Sequence, residues 1–138
     1  MVEALSMNSF MLSEIAQKLG RFRRFNWNKR TLQDMATYLL ENKTTLEHQR
    51  FITEQGHIET WRQMFRGRDT IFIYFIELYP SLKRKGLFTA FLKRFLNNPI
   101  ITEIDILAVG SWEMIWCLKK FDPKYVFHNQ GGDFYWQR

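Results

Sequence analysis

The chain has 138 residues, with 46% apolar and 17% aromatic content, enough for one domain to bury a core without disulfide or metal staples. That composition excludes disordered, collagen-like and cysteine-stapled classes. Twenty basic residues against fourteen acidic ones give a formal charge of +6, a moderate excess that tolerates acidic partners without demanding them.

Cys117 has no second cysteine to pair with, and His48, His57 and His128 are scattered without the spacing of a metal site, so no metal is expected. The longest apolar run, 71–76, is far below the ~20 residues of a membrane helix. Residues 1–10 lack the basic start and apolar stretch of a secretory leader. These features point to a reducing cytoplasm.

In chain order, Met11, Leu12, Ile15 and Leu19 share one face of a helix over 10–19, which Gly20 stops. Arg21, Arg23, Arg24, Lys29 and Arg30 then interleave with Phe22, Phe25 and Trp27. Cations alternating with aromatics can track a phosphate backbone and stack bases. A basic connector whose aromatics enter the core is the favoured reading, because no nucleic-acid fold signature accompanies the stretch.

Leu32, Met35, Ala36, Leu39 and Leu40 follow the spacing of a buried helical stripe, with Thr31 as N-cap and Asp34 near the positive helix end. Residues 46–65 fit two descriptions. One is a hairpin turning at Gln55-Gly56; the other is a short helix through Ile58, Trp61, Met64 and Phe65. Residues 70–79, rich in β-branched and aromatic side chains and ended by Pro80, read as a central strand apolar on both faces.

A basic loop leads to a helix over 87–96 with Leu87, Ala90, Phe91 and Phe95 on its apolar side. A strand over 102–109 follows, then a helix over 112–120 stopped by Asp122-Pro123. Segments 125–128 and 134–136 flank Gly131-Gly132 as a closing hairpin. Strand, helix, strand, helix and hairpin predict an α/β domain with at least one parallel crossover.

The loop after Pro80 is the candidate site. Lys83, Arg84, Lys85 and Gly86 precede the helix, whose first amides carry partial positive charge suited to a phosphate. An ordinary basic strand-to-helix loop is the bland alternative. Residues 80–92, PSLKRKGLFTAFL, resemble the pyrophosphate loop of the GNAT superfamily, the acyl-CoA-dependent N-acyltransferases. Lys83 stands at that pattern's Arg/Gln position, Gly86 at its first glycine and Phe88 at its last small residue. The strand over 102–109, Ser111 where an Asn often meets the pantetheine arm, and the closing hairpin continue the resemblance.

It implies a single GNAT-like domain over 1–138, with a mixed central sheet flanked by helices, a helical part over 1–45 and an acyl-CoA-binding core over 70–138. It further implies acetyl-CoA or another acyl-CoA held by Leu78, Lys83, Arg84, Lys85, Gly86, Leu87, Phe88, Thr89 and Ser111, and acyl transfer to an amine. Glu77 is the candidate base, against a solvated strand-end residue. Tyr125 and His128 are candidate proton donors by type. A backbone N–H near Leu78 would polarise the thioester carbonyl. Leu118 stands where the family often carries a tyrosine acid, and Cys117 reads as a small core hydrophobe. The compact aromatic chain also looks similar to short GNAT-like phage proteins, some of which act as binding or virion components. A protein-binding module with a vestigial cofactor site is therefore the alternative function, with nucleic-acid binding through 21–30 as a third.

Overall fold

The structure, a computed structural model, describes residues 22–42, 48–83, 85–109, 111–128 and 131–138; for Phe22, Arg23, His48, Ala108, Trp112 and His128 it describes the backbone only. The helix expected over 10–19 lies outside these residues. The described chain forms a mixed seven-stranded sheet in the order β1-β2-β3-β4-β5-β7-β6. Three helices, α1 (Leu32–Glu41), α2 (Leu87–Leu96) and α3 (Trp112–Lys119), contribute to one core on a single sheet face.

The basic aromatic stretch, expected as a connector within a helical part over 1–45, is a strand, β1 (Phe22–Trp27). It pairs in parallel with β2 (His48–Thr53). The apolar residues of the stretch alternate, which suits a strand. Phe25 and Trp27 point to one face and join Phe51 and Tyr38 in a cluster with ring centroids 4.7–5.9 Å apart. Arg30 lies over the Trp27 ring. These two aromatics are thus engaged in core packing.

α1 begins as expected. The Thr31 side chain accepts from the Asp34 N–H, and the Thr31 N–H donates to Asp34 Oδ2 at 2.8 Å, a reciprocal capping box. The ambiguous segment is a hairpin: β2 turns into β3 (Gly56–Phe65). Gln55 at the turn accepts from the Leu32 N–H and anchors it to the start of α1. Arg62 on β3 forks onto Asp69 at 2.8 and 2.6 Å and donates to the Leu39 and Leu40 carbonyls, tying the strands to the C-terminal end of α1.

β4 (Arg68–Leu78) pairs antiparallel with β3 along its whole length. Its parallel pairing with β5 (Glu103–Val109) is confined to Thr70 through Ile73. Only the first half of β4 is buried on both faces; Phe75 and Glu77 are exposed, because β5 has left its side by then. The buried stripe of α2 is Phe88, Phe91, Leu92 and Phe95, one step on from the expected one, and Ala90 is exposed. The rotated stripe keeps helical spacing and buries more apolar area.

β6 (Lys124–His128) and β7 (Gly131–Gln137) close the sheet. Gly131 and Gly132 belong to β7 and not to the turn. A Cβ on Gly132 would meet the Phe127 ring at 2.9 Å, so the glycine makes room for that ring. On the opposite sheet face Trp61, Phe72 and Leu107 form a second buried cluster, beside the buried carboxylates of Glu103, Asp105 and Asp133.

Candidate functional site

A β-bulge in β4 creates the opening. Opposite Glu59 and Thr60 of β3 stand Phe75 and Ile73, so Tyr74 is the extra residue. A bulge bends its strand and re-aims the side chains beyond it. Ile71 and Ile73 face the helical core, and beyond the bulge Ile76 and Leu78 do so as well. The last β4–β5 pair is Ile73 with Ile106. Past it the two strands part, and the space between them is a cleft of about 730 Å³.

The cleft brings together most of the residues singled out from the sequence. Glu77 and Leu78 line it from β4, Lys83 and Gly86 from the loop, Leu87, Phe88 and Thr89 from the first turn of α2, and Ser111 from the start of α3. Leu78 lies at the strand's end, five residues beyond the last β4–β5 pair, so the splay begins earlier in the chain than expected. Lys85 is exposed and is not among the lining residues, and Arg84 lies outside the described residues.

The loop presents an open helix start beside the cleft. Pro80–Leu82 make a single 3-10 turn, and Gly86 caps α2 in a left-handed conformation with φ of 75°, which glycine adopts without steric cost. A Cβ there would meet nothing within 4 Å, so the glycine serves conformation and leaves open space above the helix start. Gly86 supplies no side-chain cap. The first intrahelical bond runs from the Ala90 N–H to the Gly86 carbonyl at 3.0 Å, which leaves the Leu87, Phe88 and Thr89 amides facing outward. The Phe88 ring turns into the core, 4% exposed and against Phe91. It therefore leaves the space above its own amide clear.

Tyr125 does not line the cleft. It lies on β6, its ring 5.7 Å from Phe134 and under the Lys119 ammonium. His128 closes β6 opposite Gly131, and its side chain is outside the described set. Leu118 is fully buried in the main core. The cleft face of α3 carries Glu113, Trp116, Cys117 and Lys120 instead. Cys117 is half-buried there, packing against the core as the sequence suggested while its Sγ lies 3.4 Å from Thr89 Oγ1 at the cleft. The missed residues Tyr74, Glu113, Cys117 and Lys120 had one legible signal. Counted from the Ser111 cap, 113, 117 and 120 share a face at helical spacing.

Ser111 accepts from the Met114 N–H at 3.4 Å and so caps α3 while lining the cleft. Four charges line the walls, Glu77 and Glu113 against Lys83 and Lys120. Among the described residues no group of histidine, cysteine or carboxylate side chains is arranged to hold a metal ion. No described helix is long and apolar enough to cross a membrane.

The order around the cleft is strand, basic loop, helix, parallel strand, helix and hairpin, the order that the resemblance to the GNAT superfamily implies. No protein-family model and no curated protein sequence matches the chain. Among solved structures it is similar to Naa50 of Arabidopsis thaliana, in complex with the bisubstrate analogue CoA-Ac-MVNAL, at 13% identity and a TM-score of 0.44. That match covers 59% of this chain and 62% of the other. It is also similar to an acetyltransferase from Thermus thermophilus, at 13% identity and a TM-score of 0.44, over 61% of this chain and 55% of that one. The chain thus spans less than two thirds of either protein's length, and the similarity is one of chain path alone.

Proposed function

We propose that the cleft binds an acyl-CoA thioester and that the protein passes its acyl group to an amine. The observation that carries this reading is the parting of β4 from β5 at Ile73, directly beside an uncapped helix start with a cationic, glycine-ended loop. The residues present fit the ligand. The outward amides of Leu87, Phe88 and Thr89, with Lys83, would hold the pyrophosphate. The edge of β4 beyond Ile73, where β5 no longer pairs with it, would meet the amide-bearing arm, with Ser111 on the facing wall.

Bound acyl-CoA supplies an activated acyl carbon. Glu77, exposed on the cleft wall, accepts the proton that the attacking amine gives up. An N–H on the β4 edge after the bulge stabilises the negative charge that gathers on the carbonyl oxygen. We assign the protonation of the departing sulfur to Tyr74, the bulge residue, which lines the cleft while packing against the Trp61, Phe72 and Leu107 cluster.

The alternative is a module of this shape that binds a protein partner and transfers nothing. It is favoured by Leu118 lying in the core, so that α3 turns no phenol toward the cleft. Titration calorimetry with acetyl-CoA on the native protein and on Gly86→Glu tests the binding step. The variant has room for its side chain but sets a carboxylate against the pyrophosphate, so binding should fall by more than about tenfold while folding costs only ~1 kcal/mol of backbone strain. Equal affinity in the two folded proteins would refute the placement. Thiol release with a panel of amines separates transfer from binding alone.

A further inference from the structure

β6 is the last strand of the sheet order and, among the described residues, pairs only with β7. No described strand covers its other edge, and an open edge offers a row of backbone donors and acceptors to any extended chain. Proteins usually blunt such edges with charge or proline. Here Tyr125, Val126 and Phe127 follow one another at 47%, 37% and 51% exposure. Tyr125 and Phe127 turn to the same face, their rings 5.2 Å apart and both against Phe134.

Trp116, 68% exposed on α3 and also on the cleft wall, is joined to them through the Lys119 ammonium, 5.9 Å from its ring and 5.4 Å from that of Tyr125. Strand edge, exposed rings and cation thus form one continuous surface. Around it the charge is one-sided: Lys119, Lys120 and Lys124 fall within six residues against Asp122 alone.

We propose that this edge is a docking site for an acidic, extended segment of a partner protein, which adds as a strand beside β6. Its alternate apolar side chains cover Tyr125 and Phe127, and its carboxylates meet the lysines. The charge chooses this occupant over a second copy of the chain. The chain's formal charge of +6 opposes two copies meeting at a lysine-flanked edge.

The probe is a fluorescein-labelled nonapeptide alternating glutamate with valine and phenylalanine, compared with its lysine-for-glutamate counterpart by fluorescence anisotropy. The acidic peptide should bind and the basic one should not. The exposed double reversal Lys119→Glu/Lys124→Glu should weaken binding about tenfold or more, from two lost attractions and two new repulsions. Phe127→Ser should weaken it through lost ring contact, and Gly86→Glu should leave it unchanged, which separates this surface from the cleft. Equal binding of both peptides, binding unaffected by the lysine reversal, or no binding of the acidic peptide would overturn the proposal. A concentration-dependent dimer abolished by Phe127→Ser, with the acidic peptide unbound, would assign the edge to a second copy.

Discussion

Asp105 makes a prediction that can be worked through from its surroundings. Its side chain is 5% exposed on β5, and its Oδ1 has no hydrogen-bond partner. Burial, then the Glu103 carboxylate with which it also hydrogen-bonds, then Asp133, push its pKa up to about 8 from 3.8, with Arg66 opposing. The folded protein therefore holds a proton on Asp105 that the unfolded chain releases above 3.8. Between those values the folded state binds more protons, so stability falls as pH rises, by up to ~1.4 kcal/mol per pH unit. The contribution is fully present below the unfolded value and is lost as pH passes through the folded one.

From about pH 5.5 to about pH 7.5 the loss amounts to ~2.7 kcal/mol for one proton. Asp105→Asn keeps the shape, cannot ionise and can donate its amide to Glu103. Urea unfolding at both pH values should show the native protein losing this much more stability than Asp105→Asn. At the higher pH the variant should be the more stable of the two. Parallel stability–pH curves for the two proteins would refute the assignment of a buried proton.

Two further substitutions test the core. Arg62→Met strands the Asp69 carboxylate in a site where the two side chains are only 3% and 9% exposed, and should cost ~3–5 kcal/mol in unfolding free energy. The double variant Arg62→Met/Asp69→Leu should recover most of that loss; a double variant as weak as the single would show that packing, and not the stranded charge, sets the cost. Leu118→Tyr should lose ~1–3 kcal/mol through overpacking without raising thiol release, because the position is fully buried in the main core. A gain in turnover would show that the side chain reaches the cleft.

The succession of elements from β4 onward was legible because most carry a local cause: β-branched runs for the strands, and Pro80, Gly86 and Pro123 as breaks. The capping box of α1 was legible for the same reason. β1 was not, since its basic residues drew attention away from the alternation of Phe25 and Trp27. Those two side chains acquire a common face only when Phe51 and Tyr38 arrive from other elements. The hairpin of β2 and β3 escaped periodicity because β3 is buried on both faces through its middle, which erases the alternation that marks a strand.

The cleft shows how a functional feature can be written in a sequence as a slip of parity. Ile71 and Ile73 face the helical core, and an unbroken strand would continue with Phe75 and Glu77. Ile76 and Leu78 take that face instead, and one extra residue, Tyr74, lies between the two sets. Read as composition, 71–76 is merely an apolar run suited to a covered strand. The register of the folded strand places a bulge at Tyr74. A bulge in a strand whose parallel neighbour departs at the same point leaves backbone groups outside the ladder there. Such groups are costly unless water or a ligand meets them. On the proposed function, this is where an amide-bearing ligand would complete the sheet, with Gly86 and the first amides of α2 at the end of the opening where its charge would fall.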